Sequence, residues 1–217
     1  MDEKAVLEVL NELGVIITNS HFVFTSGRHS NTYVNKDALY LHPARTAQMC
    51  EIMAKKYDAN QVDVVAGPTI GGVILSQWVA YHLNSLRKAG ETLSIYVEKE
   101  GERDQKKFIV ERGYDVRVPG KNIVVVEDVL MTGGSAAKVI EAIRMLGGNV
   151  VGLSALCNRG GIKPQDIGDV PIHTLINLTF ESWSEEDCPL CAAKVPINTS
   201  VGKGKQFLAG GQSSKAS

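Results

Sequence analysis

From residue 62 onward the chain alternates short apolar runs with stretches whose apolar residues recur at helical spacing, and this alternation restricts the fold more than any other feature. Val62-Asp63-Val64-Val65-Ala66 reads as a strand ended by Gly67-Pro68. A helix follows, with Val73, Ile74, Trp78 and Tyr81 expected on one core-facing side and Gly90 at its exit. Leu93 to Val97 is a second strand. Asn122 to Val126 is β-branched and apolar on both faces, as a strand covered on both sides must be. A helix from Ser135 to Leu146 turns Val139, Ile140, Ile143 and Leu146 inward, and Gly147-Gly148 ends it. Val150 to Leu156 and His173 to Leu178 supply two more strands. Strands separated by helices imply right-handed crossovers and a mostly parallel sheet, so the expected class is α/β.

The first part of the chain has a different texture. Asp2 caps a helix carrying Val6, Leu7, Leu10 and Leu13, with Gly14 as its stop. From His21 to Tyr40 short extended pieces surround the turn Ser26-Gly27-Arg28, and Pro43 opens a helix with Met49, Ile52, Met53 and Tyr57 as its stripe. Gly, Ser and Lys dominate after Ser200, so residues 201–217 are expected to form a flexible tail after a single domain of residues 1–200.

Composition excludes several classes of function. With 217 residues, 44% of them hydrophobic and 22% charged, the chain can enclose a core and is not expected to be disordered. Lys and Arg number 23 against 24 Asp and Glu, a net charge of −1, and a nucleic-acid binder would normally carry a basic excess. No apolar run approaches the roughly 20 residues that span a bilayer. Met1-Asp2-Glu3-Lys4 lacks the pattern of a secretory signal, so no membrane association and a cytoplasmic location with reduced thiols are expected.

In open α/β sheets, ligands bind beyond the carboxyl ends of the strands. There the segment Val124-Val125-Val126-Glu127-Asp128-Val129-Leu130-Met131-Thr132-Gly133-Gly134-Ser135 stands out. A buried strand leads to two consecutive carboxylates, and a loop of small residues then enters a helix. Met131 to Ser135 can present successive backbone N–H groups at a helix N-terminus, where an anion is favoured. Gly133 and Gly134 allow close approach, and Thr132 and Ser135 add hydroxyls. Each hydrogen bond to a charged partner contributes about 1.5–3 kcal/mol, so four or five hold a phosphate firmly. Glu127 and Asp128 are suited to accept from sugar hydroxyls or to hold a cation indirectly. A lone Glu-Asp pair would merely cap the next helix; the combination points to a phosphorylated sugar. Neither Gly-x-x-x-x-Gly-Lys-Ser/Thr nor a strand-linked Gly-x-Gly-x-x-Gly occurs, which argues against kinases, ATPases and dinucleotide-dependent dehydrogenases.

Residues 124–135 resemble the 5-phosphoribosyl-1-pyrophosphate (PRPP) signature of the type I phosphoribosyltransferases. The resemblance implies that family's fold, a central mostly parallel sheet flanked by helices, with a small hood formed by N-terminal and C-terminal segments (about 1–40 and 180–200). It also implies that Glu127 and Asp128 contact the ribose hydroxyls and act in catalysis, and that Val129, Leu130, Met131, Thr132, Gly133, Gly134 and Ser135 bind PRPP. Gly67-Pro68-Thr69-Ile70-Gly71-Gly72 is similar to the family's pyrophosphate loop, which assigns Thr69 and Gly71 to PRPP.

Further stretches resemble the orotate phosphoribosyltransferases. Phe24-Thr25-Ser26-Gly27-Arg28-His29-Ser30 is similar to the element that closes over the base, and it assigns Ser26, Arg28 and His29 to the base, together with Met131. Residues 98–113 resemble the mobile loop over the active site. Between Arg103 and Lys121 this region holds six basic residues (Arg103, Lys106, Lys107, Arg112, Arg117, Lys121) against three acids (Asp104, Glu111, Asp115). Of these cations Arg112, and at the start of the loop Lys99, are the two expected to stabilise departing pyrophosphate. Cys157-Asn158-Arg159-Gly160-Gly161 resembles the segment whose arginine binds the orotate carboxylate, a task suited to a forked guanidinium. Cys188-Pro189-Leu190-Cys191 is similar to the end of one branch of these enzymes.

The resemblance implies transfer of the phosphoribosyl group from PRPP to orotate, with Mg²⁺ held mainly by PRPP and no direct protein ligand to metal, in a homodimer. Thr25 stands where many orotate enzymes carry lysine, and Met131 where the family has an orotate-contacting threonine. Met131 leaves a purine or related base open as the acceptor, and a PRPP-sensing regulator is the non-enzymatic alternative. Cys188-x-x-Cys191 is half a zinc site, and neither Cys50 nor Cys157 is spaced to complete it.

Overall fold

The computed structural model describes residues 1–101 and 107–213. In chain order its elements are α1 (Glu3–Glu12), β1 (Ile16–Ile17), β2 (Phe22–Val23), β3 (His29–Ser30), β4 (Tyr33–Val34), α2 (Lys36–Tyr40), α3 (Pro43–Ala54), β5 (Val64–Pro68), α4 (Gly71–Leu86), β6 (Leu93–Glu100), β7 (Lys107–Ile109), β8 (Asn122–Leu130), α5 (Gly134–Met145), β9 (Asn149–Asn158), β10 (Ile172–Asn177), α6 (Pro189–Ala192) and α7 (Gly204–Ser213). They divide into two compact units. One comprises Met1–Leu7 and Tyr40–Leu178, the other Glu8–Leu39 and Thr179–Ser217. No helix among the described residues is long and apolar enough to cross a membrane.

The larger unit is built on a six-stranded sheet in the order β10-β9-β8-β5-β6-β7. Its pairings are parallel except β6 with β7, which are antiparallel. β8 lies between β9 and β5, and from Ile123 to Asp128 every residue is buried. That position explains the unbroken Val124-Val125-Val126, since both faces are covered. The strand runs through Glu127 and Asp128 to Leu130, so the acid pair belongs to the strand itself. Val139, Ile140 and Ile143 of α5 pack with Val64, Ile123, Val125 and Leu153 in one core, as their spacing predicts.

Helix α4 presents a different face from the one its sequence suggested. Gly71, Gly72, Leu75, Ser76, Val79, Ala80 and Leu83 are buried, whereas Tyr81 is 59% exposed and Trp78 only half-buried. The helix is apolar nearly all round, so periodicity alone leaves its phase open. The close approach of its first turn to β5 selects the small residues: a Cβ on Gly72 would lie 2.6 Å from Pro68 Cδ and 2.7 Å from the Gly67 carbonyl carbon.

The smaller unit pairs β1 with β4 and β2 with β3, both antiparallel. Its C-terminal segment carries α6 and α7. Helix α7 occupies much of the stretch expected to be a loose tail. Phe207 supplies it with a ring to pack, edge to face against His29 at 5.0 Å. Gly202, at φ 75°, makes the turn before it, and the Lys203 N–H donates to the Val23 carbonyl at 2.8 Å.

Candidate active site

Two carboxylates in sequence on a strand normally point to opposite faces, yet Glu127 and Asp128 are both buried. Glu127 Oε1 accepts from the Asp128 N–H at 3.1 Å, and Asp128 Oδ1 from the Val129 N–H at 2.7 Å. Burial, reinforced by the neighbouring Asp128 charge, pushes the Glu127 carboxyl well above the usual carboxylate range, while the Lys99 charge opposes that shift. Few buried acid pairs serve packing alone, because isolated charge is costly inside a protein.

The loop after β8 adopts the expected strand–loop–helix path. Gly133 caps α5 at φ 73°, a left-handed conformation that glycine accepts without penalty. A Cβ there would press to 3.1 Å on Ile167 and 3.2 Å on Ile162. Thr132 Oγ1 accepts from the Gly134 N–H at 3.4 Å, and Gly134 and Ser135 form the first turn of α5. Two members of the predicted PRPP segment are committed elsewhere. The Leu130 side chain is in the core, and its carbonyl accepts from both Arg159 N–H and Gly160 N–H. The Val129 N–H is taken by Asp128. The Leu130 side chain and carbonyl and the Val129 N–H are thus committed within the protein, and Met131–Ser135 form the loop that follows.

The Gly67–Gly72 loop joins β5 to α4, and its Thr69–Ile70 peptide is cis. Gly71 stands against the acid pair. A Cβ on it would overlap Asp128 Oδ2, and Tyr40 Oη would lie 3.0 Å from that atom. Thr69 is half-buried beside it in sequence, and its N–H donates to the Val97 carbonyl at 3.1 Å.

Lys99 is exposed near the end of β6, opposite Phe108 of β7, with Nζ 5.4 Å from that ring. Arg112 donates to Glu98 Oε1 through Nη2 at 2.9 Å and Nε at 3.2 Å, so its guanidinium is paired with an acid of β6. Arg103, Asp104 and Lys106 lie outside the described residues. Arg159 follows β9, and its Nη1 is 3.9 Å from Met131 Sδ. A Cβ on Gly160 would overlap the Met131 carbonyl oxygen, which shows how closely this loop rests on the loop after β8. Met131 itself is 44% exposed.

Ser26, Arg28 and His29 belong to the smaller unit. Ser26 is exposed in the turn closed by the Gly27 N–H to Phe24 carbonyl bond of 3.0 Å. Arg28 donates to Ser182 Oγ at 3.0 Å and to the Ser182 carbonyl. His29, expected beside the base, is fully buried among His21, Cys188 and Cys191. His21 carried no role in the sequence reading. The one signal it offered was a second histidine on the same short hairpin.

A family model described as a phosphoribosyl transferase domain matches residues 35–186. The chain belongs to the phosphoribosyltransferase family. Among its relatives in this family are an orotate phosphoribosyltransferase of Thermoanaerobacter sp. (strain X514), 34% identical over 91% of this chain and 96% of that protein, and one of Thermotoga maritima, 35% identical over 92% and 98%. A crystal structure of the orotate phosphoribosyltransferase from Aeropyrum pernix superposes with a TM-score of 0.65 at 25% identity, covering 80% of this chain and 93% of that one. An adenine phosphoribosyltransferase from Rhodothermus marinus, 22% identical with a TM-score of 0.61, shares the fold.

Proposed function

We propose that this phosphoribosyltransferase transfers the 5-phosphoribosyl group from PRPP to orotate, yielding orotidine 5-monophosphate and pyrophosphate. The observation that carries the reading is the apposition of Gly71, from the diphosphate-side loop, to the carboxylate of Asp128 at the ribose position. It supports a ligand whose sugar and diphosphate are held side by side. The relatives named above as orotate phosphoribosyltransferases support orotate as the base.

In this reading the backbone N–H groups and hydroxyls of Met131–Ser135 bind the 5-phosphate, and Glu127 and Asp128 accept from the ribose hydroxyls. Ribose C1 is then fixed in line between base nitrogen and departing diphosphate, so positioning supplies most of the rate. Lys99 contributes positive charge near the leaving group. The guanidinium of Arg159 pairs with the orotate carboxylate, and Met131 packs against the base without hydrogen bonding.

Mg²⁺ fits this donor set, because the carboxylate oxygens of Glu127 and Asp128 are hard acceptors for its water shell. PRPP would carry most of its coordination, with Glu127 and Asp128 holding it indirectly. When bound, Mg²⁺ neutralises charge on the pyrophosphate. We also propose a cytoplasmic homodimer, which light scattering on the purified chain would test. For the transfer itself the test is pyrophosphate release from PRPP and Mg²⁺ across a panel of bases, with orotate the active acceptor.

A further inference from the structure

Four side chains of the smaller unit converge on one point. His21 immediately precedes β2 and His29 opens β3. The register places Val23 opposite His29, so His21, two residues back from Val23, shares the face of the hairpin that carries His29. Trp183 exchanges two backbone hydrogen bonds with His29, at 2.8 and 2.9 Å, and the Asn198 N–H donates to the His21 carbonyl at 2.7 Å. The chain between these two anchors brings Cys188 and Cys191 to the histidines. Its cysteine turn is braced by its own backbone, Ala192 N–H to Cys188 carbonyl at 3.1 Å and Lys194 N–H to Cys191 carbonyl at 3.0 Å.

The distances suit a small tetrahedral ion. Cys188 Sγ is 3.6 Å and Cys191 Sγ 3.7 Å from His21 Nε2, and Cys191 Sγ is 3.4 Å from His29 Nδ1. All four ligand atoms lie within 4.8 Å of one another. Zinc–nitrogen bonds of about 2.0–2.1 Å and zinc–sulfur bonds of about 2.3 Å set tetrahedral nitrogen–sulfur separations of about 3.6 Å and nitrogen–nitrogen separations of about 3.3 Å. The histidine nitrogens stand at 2.8 Å and need to open by only about half an ångström to reach that spacing.

The surroundings prepare the ligands. His21 Nδ1 lies 2.8 Å from the Val195 carbonyl, which only accepts, so that nitrogen carries the hydrogen and the Nε2 lone pair is turned to the centre. His21, His29 and Cys188 are buried and Cys191 is half-buried, leaving one side for entry.

We propose that His21, His29, Cys188 and Cys191 bind one structural zinc ion. Two thiolates and two neutral imidazoles around Zn²⁺ form a centre of zero net charge, which suits its burial. A soft S₂N₂ set selects zinc over magnesium or calcium, and four protein ligands leave no position for substrate. The benefit is to the smaller unit, whose strands have two residues each. At about 70 residues such a unit is in the range where a metal commonly supplements a thin core. The ion ties residues separated by as many as 170 positions in the chain.

The test is the zinc content of the full chain, expressed with zinc and purified under reducing conditions without chelator. One zinc per chain is expected, falling to none in Cys191→Ser and in His21→Asn, with a lowered thermal midpoint for the chelator-treated wild type. Should either variant fail to fold, Co²⁺ added to metal-stripped wild type decides. Tetrahedral d–d bands with thiolate charge transfer at one equivalent uphold the site. Absence of both zinc and a cobalt spectrum in the folded wild type overturns it, as does full zinc retention in Cys191→Ser.

Discussion

Gly71, which opens α4, and Asp128 of β8 are in contact: a methyl group on Gly71 would overlap Asp128 Oδ2. The loop between β5 and α4 therefore limits where the carboxylate can stand. Gly71→Ala is expected to push that carboxylate aside while α4 stays folded, since alanine favours the helix it would enter. A displacement on the ångström scale costs roughly 10²-fold in catalysis. The prediction is a fall of that order in kcat/KM for PRPP with a thermal midpoint within a few degrees of wild type, read by steady-state kinetics and thermal unfolding.

Asp128→Asn keeps the shape and removes the charge. Losing a charged acceptor for a sugar hydroxyl costs about 1.5–3 kcal/mol, or about 10- to 100-fold in kcat/KM for PRPP. Wild-type turnover by this variant would remove Asp128 from the mechanism.

Glu127 couples stability to pH. Its carboxyl is raised by burial first and by Asp128 second. A group with a raised folded-state pKa favours the protonated form in the fold. Its stabilisation is therefore complete below about pH 4.5, the unfolded value, and is lost as pH rises through the folded value. Glu127→Gln is neutral throughout. Relative to wild type its thermal midpoint should rise progressively from acid to alkaline pH, while its transferase activity falls. A midpoint difference that shrinks with rising pH would contradict this account.

Arg159→Ala separates the two substrates. Its backbone is anchored on Leu130 and its guanidinium lies beside Met131. Truncation should raise the KM for orotate about 10- to 100-fold, the worth of a charged hydrogen-bonded pair, and leave the KM for PRPP nearly unchanged. Equal effects on both would count against a carboxylate role.

Much of the sheet, and the strand–loop–helix path of the candidate site, were legible in the sequence because local rules govern them. β8 had to be apolar on both faces, and an acid pair inside such a strand is costly enough to imply a ligand. The turn after β8 was readable because Gly133-Gly134 favours the left-handed residue that precedes α5. What sequence could not convey depends on contacts between distant segments. The phase of α4 is set by its approach to Gly67, and α7 is ordered around Phe207 rather than by helical composition. The partners of Cys188 and Cys191 are histidines on a hairpin more than 150 residues earlier, not the buried Cys50 of α3 and Cys157 of β9. The pairing of Arg112 with Glu98 likewise depends on the folded β6–β7 hairpin.

The most direct test of the central claim is the rate of pyrophosphate release from PRPP and Mg²⁺ with orotate, adenine, hypoxanthine, xanthine or no base. The account predicts turnover with orotate and background rates with the purines. Inert orotate alongside turnover of any purine would contradict it.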